Sequence, residues 1–539
     1  MTLEALYEGY NLQDYYIGKV TQVYRSCSIA QVENVPVMST RSKFSNSFLP
    51  NTINYFVVVE STSGLFLGEV FENKASRKNI LEMESFGDGK SNDYHEFSID
   101  TIALMTPDSD KFRLAGFQTL GITDKVYLAT DEVYSLFVRS LELSNDDEEP
   151  LPAFATYINR SRADVTLKPG TLFNRHLMCV GSTNTGKSTT ALAILDKLVI
   201  TGRKALIIDP TGEYRDAFAD DEVTKLTLGV DTTISPSKLT MEQWEKLFET
   251  ENSSQGAVLA EAITSLRYMK KIGDDSCYIK VGENIEEVQE NLASVSKDDA
   301  DFNLELLPEQ IQAESVCEPN RDSNYNFKYS YDTLKANSNA SLVQKIQYQM
   351  TNTRFLSFFS NDTSMYNLLD VIDQFVHLPN ESLYIDTSML GAAEGIGGMV
   401  IDLVSNFVIS REDNYPFVFF IDEVHRYSKS RYSDKEFHGG LTLLAREGRK
   451  KGIFLYLMTQ SPKDVSPILF GQIGTLLIHR LMLNDEIRTV ETHLDDFSIK
   501  HVRKLYQGEV ILTSVNLLHN VFIHVNKCDR TQYNETPLL

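Results

Sequence analysis

From Asp14 to about Ala129 apolar and polar positions alternate in short runs: YYIGKVTQV, CSIAQV, YFVVVEST, LFLGEVFE, FSIDTIALM and KVYLAT. The STSG at Ser61 to Gly64 and the FGDGKSND stretch after Ser85 break them. Period-two alternation bounded by turn residues predicts strands, and several at this spacing predict a small sandwich or barrel. The acidic run NDDEEP, Asn145 to Pro150, reads as a solvated linker. Beyond about residue 170 the texture changes to apolar runs separated by helical patterns: HLMCV, KALIID, SLYID, FVFFID, IFLYLMT, TLLIHR, EVILTS and VFIHV. Continuous apolar strands alternating with helices predict an α/β fold, a mainly parallel sheet covered on both faces.

Between about Ser235 and Asn380 the alternation gives way to helical and polar sequence, such as GAVLAEAITSLRYMKKI and SLVQKIQYQMTNTRFLSFF, which reads as an insertion. Residues 281 to 320 hold eleven acids and one base, Lys297, which excludes that stretch as a nucleic-acid surface. The domains expected are an N-terminal β-domain over 1–150, a core in two parts over 151–235 and 381–515, a helical, partly acidic insertion over 236–380, and a C-terminal strand and tail over 516–539.

Composition narrows the setting. With 539 residues, 42% hydrophobic and 23% charged, the chain is globular rather than disordered or fibrous. The net charge of −24 repels a polyanion from most of the surface, so any nucleic-acid contact must be local. Cys27, Cys179, Cys277, Cys317 and Cys528 are scattered, with no zinc-ligand spacing, and read as reduced thiols. With no secretory leader at MTLEALYEGY and no apolar run of membrane-spanning length, the expected setting is cytoplasmic.

The chemistry is carried first by Gly181, Ser182, Thr183, Asn184, Thr185, Gly186, Lys187 and Ser188, which match GxxxxGK[ST] at every fixed position. The strand LMCV runs into it and the helix beginning TTALAILDK, with Thr189 in its first turn, follows. Glycines let successive N–H groups turn toward phosphates, and the helix start adds its positive dipole end. Lys187 would contact the β- and γ-phosphates of a nucleotide, and Ser188 the Mg2+. A second element, FVFFIDE, ends an apolar strand in Asp422 and Glu423, placing one acid for the metal and the other for an attacking water. After KALIID, Asp209-Pro-Thr-Gly-Glu213-Tyr214 puts Asp209 and Glu213 at a strand end, where magnesium or water could be positioned.

A GTPase pattern is mimicked by Asp209-Pro-Thr-Gly212 and Asn526-Lys-Cys-Asp529. The second segment lies only ten residues from the end of the given sequence, with no room there for the helix and final base-contacting loop expected of a GTPase, and FFIDE is the better metal strand.

Asn174-Arg-His176 before GSTNTGKS, then DPTGEY, FFIDEVHRY, the AREGRKKG of Ala445 to Gly452 and the MTQSP of Met458 to Pro462, in this order, resemble the HerA family of hexameric ATPases, related to the FtsK translocases. The resemblance implies an N-terminal β-barrel, a RecA-like P-loop core and a helical insertion. It assigns Lys187 and Ser188 to phosphate-loop roles, Asp209 and Glu423 to acidic catalytic positions and Asp422 to the metal. It also implies an arginine reaching a neighbouring subunit's nucleotide, Arg449 with Arg446 as the next candidate, and Gln460 as a polar sensor of the γ-phosphate or its water. Arg175 would contact nucleotide in its own subunit. The chain departs from the family in the Thr and Asn of GSTNTGKS, in Thr211 where His is common, and in the long acidic insertion.

Two functions follow from the resemblance. One is a DNA-translocating hexamer, in which Lys429, Arg431, Lys450 and Lys451 would line a channel. The other is an assembly scaffold whose nucleotide cycle organises a separate effector, a nuclease or a sirtuin-like NADase, in DNA processing or anti-phage defence. The expected activity is an ATPase ring partnered with an effector, with no membrane involved.

Overall fold

The structure is a computed structural model that describes residues 1–34, 53–77, 93–143, 147–158, 163–248, 250, 253–318, 327–351, 353–359, 364–390, 394–427 and 439–533. Lys429, Arg431 and parts of the linker and of the FGDGKSND stretch lie outside them. The chain divides into two compact units. One is Met1–Lys197 with Ile473–Cys528, and the other is Leu198–Gln472 with Asp529–Leu539.

In the first unit, the six alternating runs form a closed antiparallel barrel from strands Tyr16–Val23, Ser28–Val32, Tyr55–Ser61, Gly64–Arg77, Asp93–Met105 and Lys125–Leu128. Closure removes sheet edges. The barrel is filled by Ile17, Val57, Val59, Phe66, Phe97 and Ile99, all at most 1% exposed. At Gly68, where the register shifts by a bulge, a Cβ would lie 2.4 Å from the Ile99 side chain, so no larger residue fits that bend.

The same unit holds the strand Leu177–Val180, parallel to Thr475–Ile478. Beyond it, Glu509–Ser514, Val521–Val525, Ala155–Tyr157 and Asp164–Val165 follow in antiparallel order. The strands are therefore mixed in direction: the apolar runs EVILTS and VFIHV, expected within a mainly parallel sheet, pair antiparallel. Only the turn from Val515 to Asn520 separates them, and a parallel connection needs a crossover of a dozen or more residues.

The second unit is built on five parallel strands in the order Val223–Thr227, Ser382–Asp386, Lys204–Asp209, Phe417–Ile421 and Ile453–Thr459. The three central ones are buried at every position, which explains why they read as unbroken apolar runs. Between Met241 and His377 this unit is mainly helical. Trp244, Phe248, Phe302, Phe355 and Phe359 form an aromatic cluster there. A buried Lys280–Glu314 pair is completed by Ser265 and Gln310, which donate to the same carboxylate. No helix among the described residues is long and apolar enough to cross a membrane.

Candidate nucleotide site

The first unit presents the phosphate loop. Strand Leu177–Val180 is fully buried and delivers the chain to Gly181, and the helix Lys187–Ile200 leaves on the other side. Close approach explains both fixed glycines. A Cβ on Gly181 would lie 2.5 Å from the Cβ of His479, and one on Gly186 would lie 3.2 Å from the amide of Gly508. Gly186 also takes φ +102, and Asn184 adopts φ 65, the left-handed conformation that Asn tolerates best after Gly.

Lys187 is 5% exposed, and its Nζ donates to the carbonyl of Ser182 at 2.9 Å, as Thr185 Oγ1 does at 2.8 Å. The loop is therefore closed on itself from Ser182 to Lys187. Ser188 and Thr189 are half-buried in the first helical turn, and Thr183 and Asn184 are exposed. Arg175 is exposed, and its carbonyl accepts from Gly474 at 2.6 Å.

His479 was not singled out by the sequence. It follows the strand Thr475–Ile478 and is fully buried beneath the loop. Its Nδ1 lies 3.0 Å from the Thr185 carbonyl and its Nε2 lies 3.0 Å from Thr190 Oγ1. Burial pushes its pKa down to about 3, and the nearby Lys187 ammonium adds to the fall.

The second unit gathers the acids. Asp422 is 1% exposed, with Oδ1 accepting from the amide of Glu423 at 2.6 Å. Burial raises its pKa well above the carboxylate range, and Glu423, Asp209 and Glu213 reinforce the shift. Glu423, 5% exposed, has φ 46, a conformation a non-glycine residue adopts at a cost of about 1–3 kcal/mol and often at functional sites. Its Oε1 accepts from Gln460 Nε2, and its Oε2 lies 3.1 Å from His425 Nδ1. Strands Phe417–Ile421 and Ile453–Thr459 are parallel neighbours, so Glu423 and Gln460 emerge side by side.

Asp209 is placed differently from what its strand-end position suggested. It is fully buried, and its carboxylate accepts five hydrogen bonds. Four come from its own DPTGEY loop, at Thr211 N, Thr211 Oγ1, Gly212 N and Tyr214 N, and one comes from Tyr384 Oη at 3.0 Å. Next to it in register, Asp386 is 1% exposed and pairs with Arg215, a contact the sequence gave no reason to expect. Glu213 is half-buried.

Arg446 lies in the last turn of the helix Gly440–Glu447, and Arg449 in the short 3-10 helix Gly448–Lys451 that follows. Both arginines are exposed, as is Lys450, whereas Lys451 Nζ donates to the Ile409 carbonyl at 2.6 Å. Gly452, at φ 75, ends the segment and lets the chain turn into the next strand.

Taken each by itself, the phosphate loop fits a nucleoside triphosphate and the acid cluster fits magnesium. Magnesium takes one or two protein oxygens together with phosphates and water, so no cage of protein ligands is required. A fully buried carboxylate among three other acids is a setting that a cation stabilises. The loop runs directly into the start of the helix Lys187–Ile200, whose first N–H groups suit an anion.

Residues 154–394 match the family model for the central domain of helicase HerA. Over those residues the chain is similar to the P-loop ATPases of the HerA type. A probable helicase of Methanocaldococcus jannaschii is 23% identical over 380 residues, 69% of this chain and 66% of that protein. The DNA double-strand break repair helicase HerA of Saccharolobus solfataricus is 21% identical over 350 residues, 63% of this chain and 62% of that protein. The chain thus spans less than two thirds of the length of either relative. Among solved structures, the bacterial conjugative coupling protein TrwBdeltaN70 is similar with a TM-score of 0.48 and 13% identity, over 72% of this chain and 93% of that one.

Proposed function

We propose that this chain is a HerA-family ATPase that hydrolyses magnesium ATP, as one subunit of a homo-hexameric ring. The observation that carries the reading is the Glu423–Gln460 pair beside the buried Asp422, in a chain that also holds a closed phosphate loop. Ser188 and Asp422 are assigned to the magnesium, which when bound supplies charge neutralisation on the phosphate oxygens. Lys187 binds the phosphates once its ammonium exchanges the Ser182 carbonyl for them. Glu423 takes the proton of the attacking water, and Gln460 holds that carboxylate in place. Arg449, or next to it Arg446, reaches the neighbouring subunit's nucleotide, where a planar guanidinium suits the charge developing on the γ-phosphoryl oxygens. Arg175 contacts nucleotide in its own subunit. Asp209 is assigned a supporting role: with both oxygens filled by five donors, it shapes the DPTGEY loop and adds negative field at Asp422.

The relatives' names, helicase and DNA double-strand break repair helicase, support work on DNA, held in the ring channel where local charge can outweigh a net of −24. The ring works in the cytoplasm with a separate effector, a nuclease or a sirtuin-like NADase, in DNA processing or anti-phage defence. The strongly acidic composition favours a second reading, in which the nucleotide cycle assembles the effector without translocation. The test is ATP turnover with and without duplex DNA, combined with a triplex-displacement assay. DNA-stimulated turnover with displacement supports the motor, and turnover indifferent to DNA supports the scaffold. Absence of turnover in both would overturn the reading.

A further inference from the structure

We infer that His479 is a positioning residue for the nucleotide, fixing the phosphate loop through the carbonyl of Thr185. The inference rests on the phosphate-loop reading above. Thr185 O can only accept, so Nδ1 of His479 carries the hydrogen and donates to it across 3.0 Å. The ring is neutral at working pH, which leaves Nε2 as the acceptor for the Thr190 hydroxyl, also at 3.0 Å.

The same Thr185 carbonyl accepts a second bond, from the amide of Gly508 at 3.0 Å. Two donors on one carbonyl fix the direction of that peptide plane. In a trans peptide the N–H points opposite to the C=O. The Gly186 N–H, which shares the plane, is therefore held facing away from His479, toward the hollow where a phosphate would sit. Thr190 lies one turn into the helix, and its hydroxyl, able to donate or accept, serves Nε2 once the Thr185 carbonyl has placed the ring hydrogen on Nδ1. Were the hydrogen on Nε2, Nδ1 would turn a lone pair toward the Thr185 carbonyl, and the loop would lose its hold.

The backbone agrees with this role. His479 N donates to Val180 O at 2.8 Å and Ser182 N donates to Arg480 O at 3.0 Å, so the His479 segment borders the loop from its first residue.

The two ring nitrogens can be separated by substitution. In His479→Asn the amide nitrogen stands as far along the side chain as Nδ1 and can donate to Thr185. In His479→Gln the amide reaches the level of Nε2 and serves Thr190 instead. Thr190→Val removes the hydroxyl that donates to Nε2 and holds the ring against Thr185, without changing the shape. The experiment is the Kd for a non-hydrolysable ATP analogue with magnesium, measured on the full chain beside thermal melting, with Lys187→Ala as control. His479→Asn is expected to bind within about threefold of the parent, and His479→Gln and Thr190→Val about tenfold or more weakly, the loss of one well-placed hydrogen bond. Thr190→Val carries the test if the histidine variants melt early. Unchanged affinity in Thr190→Val and His479→Gln, or equal losses in the Asn and Gln variants, would overturn the role of His479 while leaving the nucleotide site intact. Normal affinity in Lys187→Ala would instead overturn the phosphate-loop reading, and this inference with it.

Discussion

Gln460, just past the end of one strand, donates its amide to the Oε1 of Glu423, which follows the parallel neighbouring strand. The contact gives the glutamate one side-chain orientation, and the left-handed backbone at Glu423 sets where that side chain starts. Glu423→Gln is expected to bind ATP and to lose turnover by about 10²-fold or more, since an amide cannot take the water's proton. Gln460→Ala should lower kcat by about tenfold with a smaller change in KM, because it releases the carboxylate without removing it. Steady-state hydrolysis of both variants checks this, and full turnover in Glu423→Gln would move the base to another acid.

Lys187 closes the phosphate loop through Ser182. Lys187→Ala should abolish ATP binding and hydrolysis with little effect on melting, because the residue belongs to the loop rather than to the core. Calorimetric titration with magnesium ATP reads the first, and normal binding would sink the assignment of the loop.

Arg449 and Arg446 are both exposed at the end of one helical segment. Arg449→Ala should keep ATP binding and lose hydrolysis by about 10³-fold. Mixing it with Lys187→Ala subunits, which carry an intact arginine, should restore part of the turnover if the arginine acts across a subunit interface. Mixtures no more active than the sum of their parts, with subunit exchange demonstrated, would shift the role to Arg446. Mass photometry with ATP should show a hexamer, and a monomer at micromolar concentration would contradict the ring.

Lys204 supplies a pH dependence. Its Nζ is buried over the Phe375 ring and donates to the Phe375 carbonyl at 2.6 Å, at the end of the helix Leu368–His377. Burial pushes its pKa from 10.5 down to about 8. Between those values the unfolded chain holds more protons than the folded one, so this group makes stability rise with pH from about 8 to about 10.5. Below about 8 the cost of burying the charge is fully present. Lys204→Met should flatten that part of the stability profile in chemical denaturation, and an unaltered slope would show that Lys204 does not cause it.

Asp209→Asn should lower the melting temperature, since an amide nitrogen cannot accept from the loop donors that the carboxylate now serves. Turnover is expected to fall less than in Glu423→Gln. A normal melting curve with complete loss of turnover would place Asp209 in the chemistry.

The elements of this protein that depend on near neighbours in the chain were determined by sequence alone. Gly181 to Ser188 are contiguous, and backbone conformation and spacing are enough to make a phosphate loop between a strand and a helix. The six barrel strands and the buried parallel strands follow from period-two alternation and unbroken apolar runs, because burial on one face or two dictates which positions can be polar. Asp422 and Glu423 were legible for the same reason, being acids at the end of a run that must be buried. The tertiary structure decided what depends on residues distant in sequence. His479 meets Thr185 across 294 positions, and Asp209 meets Tyr384 across 175, and no local pattern marks either pair. The antiparallel pairing of EVILTS and VFIHV was decided by the length of the turn between them rather than by their apolar character, which parallel and antiparallel strands share. Whether a strand-end acid is free or filled was decided by the donors folded around it: Asp209 is surrounded by five, while Glu423 is held from the side by a residue on the next strand.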